Sequence, residues 1–569
     1  MSTFYYSSPL QEYDAIVVGT GISGGWAAKE LCEKGLKTLV LERGPMVNHI
    51  TDYPTMGKDP WDFKHRSNLP ASELNKQIKQ SRTGYTINEA SAHWFVDDEK
   101  HPYNEVKRFD WIRGYHVGGR SLMWARQSYR IGDLDFEANV KEGIGIDWPV
   151  RYKDIKPWYD YVENFIGVSG ENLGLPQLPD GNFLPPMPLN CVEDHLKNKT
   201  SENYNDRLVT ISRTANLTGG EFEGRSSCQF RNRCIRGCPF GAYFSSNSST
   251  LPAAERTGNM TLRPNSIVHE VMYDKDSKKA TGVKVIDSET KETIEFKAKI
   301  IFLCASTVAS TSILMQSKSE TFPNGMGNES GELGHNIMDH HFRAGARAKV
   351  DGFEDKYYKG RRPTTFYIPR FQNLGGTTNK KDFLRGYGLQ GGASRTDWTE
   401  AVGELNYGKD LKKAILEPGN WQIGMTGFGE TLPDHRNKFY LDYDKKDQWG
   451  LPTVTFDAEY RENEVNMRKD MIVEAMDIFE KAGFKDVTPD DRVVGFGLGI
   501  HEMGTARMGH SPKTSVVNKH NQLHNVKNVF VTDGSFMTSS ACQNPSLTYM
   551  AFTARAVDFA VKELKKMNL

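Results

Sequence analysis

Residues 13–44 read YDAIVVGTGISGGWAAKELCEKGLKTLVLERG. Ala15-Ile16-Val17-Val18 is a short apolar, β-branched run, which predicts a buried parallel strand. Gly19-Thr20-Gly21-Ile22-Ser23-Gly24 follows at once. Trp26 to Lys34 reads as a helix stopped by Gly35. Thr38-Leu39-Val40-Leu41 is a second strand with Glu42 at its end. This is a βαβ unit with a Gly-rich first turn, the pattern of dinucleotide binding. Glycines at 19 and 21 let the backbone approach a pyrophosphate, and Gly24 lets helix and strand pack closely. The helix N-terminus offers N–H donors to the phosphates. Glu42, eighteen residues after Gly24, would accept from ribose hydroxyls. The loop by itself does not decide between NAD and FAD.

Two later stretches weigh on that choice. Gly118-Gly119 lies in Arg113–Ser121, where a Gly pair can lie against a flat ring system. Val531-Thr532-Asp533-Gly534 is a strand ending in a second polar contact. Three separated loops converging on one ligand imply a long, enclosed cofactor such as FAD.

The rest of the chain bounds the function class. It has 569 residues, and 72 Lys+Arg balance 72 Asp+Glu. That balance argues against a nucleic-acid binder working by overall charge. No apolar run reaches about 18 residues, so no membrane span is expected. Met1–Tyr6 has no basic n-region or twin arginine, so no signal peptide is expected. Residues 45–105 and 145–225 are weakly patterned, the latter with a Pro-rich stretch from Leu175 to Pro188. Val283–Ile286, Ile300–Leu303 and Val529–Val531 read as strands. Alternating segments across 343–456, such as Thr365–Ile368 and Lys438–Leu441, suggest an antiparallel sheet with one wet face. Met471, Ile472, Ala475, Met476 and Phe479 have helical spacing and read as core. A last helix is expected from about Ser546 to Lys566.

Seven cysteines are present, and three of them fall within eleven residues. Cys228, Cys234 and Cys238 have the spacing C-x5-C-x3-C-P. Three thiolates in one loop can converge on an inorganic centre. A structural zinc would want a fourth local ligand, which is missing, and a Pro after the last Cys suits iron–sulfur loops. Reduced thiols, or one disulfide plus a thiol, are the plainer readings. Cys32, Cys191, Cys304 and Cys542 read as small buried residues.

Taken together, the chain resembles the glucose–methanol–choline (GMC) oxidoreductase family. The resemblance rests on Gly19–Gly24 with Glu42-Arg43-Gly44, Gly118-Gly119, Ala305-Ser306-Thr307, Gly334–His340, His501–Thr505, Asp533-Gly534 and Asn544–Thr548, in that order. It implies an α/β fold: a Rossmann-like FAD-binding domain built from discontinuous segments, and a substrate domain with an antiparallel sheet. We expect the first over 1–48, 104–135, 222–342 and 500–569, and the second over 49–103, 136–221 and 343–499. The resemblance also implies alcohol oxidation at FAD, with Ile22, Ser23, Arg43, Ser121, Val268 and Ala305 among the cofactor contacts.

His501 suits the base that takes the alcohol proton, because imidazole titrates near neutrality. Asn544 can hold the same oxygen without competing for protons. Pro545 and Ser546 would set a helix N-terminus near the flavin. The resemblance carries the base role to His501 and the partner role to Asn544. His335, His340 and His341 are read as structural. In related pyranose oxidases the flavin-linked His follows the Gly pair, where this chain has Leu122-Met123-Trp124, so non-covalent FAD is expected. The cysteine spacing looks like that of the catalytic subunits of bacterial FAD-dependent glucose dehydrogenase complexes and glucoside 3-dehydrogenases. There, three such cysteines hold a 3Fe-4S cluster.

The resulting expectation is a sugar dehydrogenase oxidising C3 of a glucopyranoside. Electrons would pass through the cluster to a c-type cytochrome or another one-electron acceptor. A small accessory subunit carrying the export signal would make the enzyme periplasmic; a cytoplasmic enzyme is the alternative. Glucose oxidation at C1, gluconate or sorbitol dehydrogenation, and a non-catalytic flavin-binding assembly subunit are the rival readings.

Overall fold

The computed structural model describes residues 12–220, 222–356, 364–395, 407–416, 419–492 and 494–569. The N-terminal stretch read for a signal lies outside them. Among the described residues no helix is long and apolar enough to cross a membrane.

The strand Tyr13–Val18 is buried along almost its whole length, as its apolar run requires. It pairs in parallel with Thr38–Leu41 on one side and Thr293–Leu303 on the other. Met260–Arg263 extends the sheet beyond Thr38–Leu41, and Val529–Val531 extends it beyond Thr293–Leu303, both in parallel. The helix Ile22–Glu33 makes the crossover. It starts four residues before the expected Trp26, because Gly24 and Gly25 sit inside its first turn. A methyl group at Gly24 would lie 1.9 Å from the Gly19 carbonyl oxygen, so strand and helix meet there only through glycine. The foot of Thr293–Leu303 turns antiparallel, pairing with Lys279–Asp287, which pairs with Ser266–Asp274.

A second sheet is antiparallel with six strands, in the order Lys485–Asp491, Ala344–Val350, Trp421–Gly429, Tyr387–Arg395, Phe366–Ile368 and Thr210–Ile211. Helix Glu462–Lys481 covers one face with Met467, Met471, Ala475, Ile478 and Phe479. The Met-rich stripe is core, as its spacing indicated.

Three expectations need correction. Lys438–Lys446 does not join this sheet. It pairs with Pro452–Asp457, which pairs with Asn104–Glu105, because the apolar side of Phe439 and Leu441 packs with Phe109, Phe456 and Phe496 instead. Residues 145–225, weakly patterned in sequence, contain regular structure that was not expected. They hold the helices Tyr152–Ile166 and Cys191–Asn203. The first buries Ile155, Tyr159, Val162 and Ile166, a helical stripe that Pro157 and its many aromatics disguise. Cys191 is half-exposed at the start of the second helix rather than buried, while Cys32, Cys304 and Cys542 are buried.

Candidate functional site

The Gly-rich loop places Glu42 at the C-terminal edge of the parallel sheet, where ligands of such sheets bind. Its carboxylate accepts from the Thr20 backbone N–H at 3.0 Å, the Thr20 hydroxyl at 2.5 Å and the Gly44 N–H at 3.1 Å. Burial raises its pKa against those hydrogen bonds. The Thr20 hydroxyl also accepts from Gly118 N–H at 2.9 Å, which ties the second Gly-rich loop to the first. Asp533 accepts from the Ser310 hydroxyl at 2.5 Å and from Ser535 N–H at 3.0 Å.

These loops line one cavity of about 480 Å³. Gly19, Gly21, Ile22, Ser23, Glu42, Arg43, Gly119, Ser121, Val268, Ala305, Asp533, Gly534 and Ser546 all face it, and so do His501 and Asn544. Three expected contacts stand behind the wall. Gly24 packs on Gly19, Gly118 is bonded to Thr20, and Pro545 precedes the helix Ser546–Lys565. That helix has 20 residues, and its N-terminal end opens beside Asn544 at the cavity. At the Glu42 end, Arg43 lies 4.7 Å over the Tyr115 ring and 5.1 Å over Trp449. Its guanidinium also pairs with Asp447 at 3.4 Å.

The opposite end holds the candidate catalytic groups. His501 and Asn544 stand 3.4 Å apart, Nε2 to Nδ2. Gln390, on the strand Tyr387–Arg395 of the antiparallel sheet, donates its amide to Asn544 Oδ1 at 2.6 Å. The reading of His340 as structural needs revision: its Nδ1 lies 2.9 Å from His501 Nδ1. Its Nε2 meets the Ala541 carbonyl at 2.9 Å. Asp339 accepts from the backbone N–H of Gly499 at 2.8 Å and of His501 at 2.9 Å. Arg120 makes a two-point pair with Glu502 at 3.2 and 2.8 Å. Burial, then His340 and Arg120, hold the His501 pKa well below its ordinary value. The imidazole is therefore neutral near pH 7, with one ring nitrogen unprotonated. Burial and the nearby Glu502 push Asp339 up to about 7.

Sequence reasoning missed Gln390 and His340. Gln390 carries no motif. His340 lies in a stretch already singled out, and its dipeptide partner Asp339 was the available signal.

The three clustered cysteines line a second, small cavity with Asn216, Phe240 and Tyr243. Tyr243 and Ile235 also line the large one. No disulfide joins any of the seven cysteines. Among the described residues no three His, Cys, Asp or Glu side chains are placed to hold a single metal ion. Buried Arg126 stands 3.6 Å over the Tyr243 ring, and burial lowers its pKa against the opposing pull of Tyr243, Cys234 and Cys238.

Models of the GMC oxidoreductase family match residues 13–342 and 433–553. A 2-methyl-1,2-propanediol dehydrogenase of Mycolicibacterium austroafricanum is 27% identical, covering 97% of this chain and 96% of that protein. The fructose dehydrogenase large subunit of Gluconobacter japonicus is 26% identical, covering 97% and 98%. The gluconate 2-dehydrogenase flavoprotein of Pantoea cypripedii is also 26% identical, covering 96% and 93%. Among solved structures, pyridoxine 4-oxidase superposes with a TM-score of 0.60 at 15% identity, covering 96% of this chain and 99% of that one. A formate oxidase superposes at 0.62 and 13% identity, covering 99% and 100%. The chain belongs to the GMC oxidoreductase family, FAD-binding enzymes that act on CH–OH groups.

Proposed function

We propose that this enzyme is a sugar dehydrogenase that oxidises a secondary alcohol of a glucopyranoside, at C3, to a keto sugar. One observation carries the alcohol-oxidation part of the reading. A single cavity holds the dinucleotide-type loops at one end and the His501–Asn544 pair at the other. The cavity residues fit FAD: Glu42 retains a lone pair on Oε1 for a ribose hydroxyl, and Gly19 and Gly21 leave room for a pyrophosphate. Bound non-covalently, FAD supplies the acceptor for the carbon-bound hydrogen and its electron pair. The chain's own residues do the rest. His501 takes the hydroxyl proton on Nε2. Asn544 donates to the same oxygen and fixes its position as the carbonyl forms. The N-terminus of Ser546–Lys565 brings partial positive charge to that end of the cavity.

The choice of a sugar is supported by the fructose and gluconate dehydrogenases among the relatives; the choice of C3 rests on the cysteine-loop resemblance. Anaerobic bleaching of the flavin tests both, across methyl glucosides, glucose, fructose, gluconate and sorbitol, with NMR of the products. A 3-keto glucoside is expected. A lactone from glucose would replace C3 by C1, and no bleaching by any of them would overturn the sugar reading.

The cysteine loop is proposed to hold a 3Fe-4S cluster. Each iron of such a cluster would take its own thiolate, and three thiols line one cavity here. The cluster would supply a one-electron relay, and Arg126 beside the thiols would offset its negative charge. A c-type cytochrome would take the electrons, and a small exported subunit would accompany the chain to the periplasm; the "large subunit" name of the fructose relative supports a partner. Cys234→Ser should lower bound iron and slow electron delivery to a one-electron acceptor, yet leave sugar-driven flavin reduction intact. Iron analysis and low-temperature EPR of anaerobic protein measure this. Iron-free wild-type protein with full acceptor turnover would remove the relay.

A further inference from the structure

Four hydrogen bonds run in one line from Gln390 to Ala541, through Asn544, His501 and His340. Their directions follow from the last member. The Ala541 carbonyl can only accept, so His340 Nε2 carries a proton. Burial lowers the His340 pKa to about 4, so the ring is neutral near pH 7 and its Nδ1 is bare. His501 Nδ1 must then donate, which leaves His501 Nε2 bare and facing Asn544. At the other end the Gln390 amide donates to Asn544 Oδ1, so Asn544 turns its NH2 toward that same Nε2. All four bonds of the network agree on one assignment of hydrogens.

We infer that His340, anchored on the Ala541 carbonyl, is a positioning residue that sets the tautomer of His501 and so makes Nε2 the proton-accepting atom. The inference rests on His501 being the base proposed above. In the other tautomer Nε2 would carry a hydrogen and could not accept one from the alcohol.

The surroundings are built for the purpose. His340 is wholly buried. Ala541, whose carbonyl holds His340, and Ile500, which precedes His501, have φ of 56° and 58°, left-handed values that are uncommon for non-glycine residues. Asp339 grips the His501 backbone from below, and the Tyr460 hydroxyl donates to the His340 carbonyl at 3.4 Å. Glu502, Arg120 and His341 are the remaining titratable neighbours. The chain ends on a carbonyl that cannot take a proton. It is therefore a clamp on the tautomer, not a wire that carries the proton away. When His501 takes the proton, its Nδ1–H keeps an acceptor in His340, which steadies the imidazolium.

The test has a readout that needs no substrate. In the FAD-loaded, ¹⁵N-histidine-labelled enzyme, His501 should show a protonated Nδ1 and a bare Nε2 at pH 7.5. Finding the proton on Nε2 overturns the inference without any variant. His340→Phe removes the acceptor and should lower the rate of sugar-driven flavin reduction about 10²–10⁴-fold, with KM changed only a few-fold. His340→Asn puts an amide oxygen where Nδ1 stood and should restore the rate to within about tenfold of wild type. His340→Phe at wild-type rate, while His501→Ala is dead, defeats the clamp alone. His501→Ala at wild-type rate defeats the base reading beneath it.

Discussion

The two ends of the cavity are built in opposite ways. At the nucleotide end, Glu42, Thr20 and Gly44 lie within 25 consecutive residues and satisfy one another. At the reacting end, the line from Gln390 to Ala541 draws on the antiparallel sheet, the His340 segment, the His501 loop and the turn before the last helix. Gln390 also falls in residues 343–432, which neither family model matches. Binding a nucleotide is a local task that one βαβ unit performs. Aiming a proton acceptor at one atom needs groups fixed from several directions at once.

The comparison breaks most visibly at His501. His501→Ala should keep bound FAD but lose sugar-driven flavin reduction by about 10²–10⁴-fold in anaerobic stopped flow. Loss of FAD with the rate per bound flavin preserved would mean that the ends are not separable. Glu42→Leu should do the converse. The missing carboxylate should weaken FAD binding about 10- to 100-fold, the worth of one or two hydrogen bonds to a charged group, while each loaded molecule reacts normally. Titration of the apoprotein by flavin fluorescence measures it, and an unchanged affinity would take Glu42 out of the cofactor site.

A pH experiment sharpens the reacting end. Asp339 has its pKa raised to about 7 in the folded protein from the ordinary 3.8. A raised folded pKa means stability that is full below the unfolded value and is lost as pH climbs through 7. Asn at this position resembles the protonated acid and has no charge to bury. Asp339→Asn should therefore gain on wild type by about 1–4 kcal/mol between pH 4 and pH 8 in thermal or urea unfolding. A difference that stays flat with pH would show that Asp339 is not held in this way. The smallest effect belongs to the rim of the nucleotide end. Asp447→Ala removes a partly exposed partner of Arg43, and such pairs contribute roughly 0.2–1 kcal/mol. FAD should dissociate no more than a few-fold faster, and a larger loss would make the 447–451 turn a true clasp.

Much of this is legible in the sequence. Residues 13–44 announce their strand, turn and helix, because a buried parallel strand must be apolar and a helix needs glycine to approach it closely. The loops at 118–119 and 533–534 could be named as partners of the first. Their convergence on one cavity is what the structure adds. The helix Tyr152–Ile166 was not legible, since a proline and five charged side chains obscure its apolar stripe. The grouping of Lys438–Lys446 with Asn104–Glu105 was equally hidden, because alternation tells which face of a strand is apolar but not which partner will cover it.

Sequence alone thus pointed to the residue types of the proposed reaction, His501 and Asn544, and to the unit that would bind a dinucleotide. Both are matters of chemistry or of contiguous pattern. Only the tertiary structure bears on which nitrogen of His501 would serve as the proposed base. That choice belongs to no residue singly. It follows from a carbonyl at 541, an imidazole at 340 and an amide at 390, whose hydrogen-bond directions fix one another only once the chain has brought them within about 3 Å.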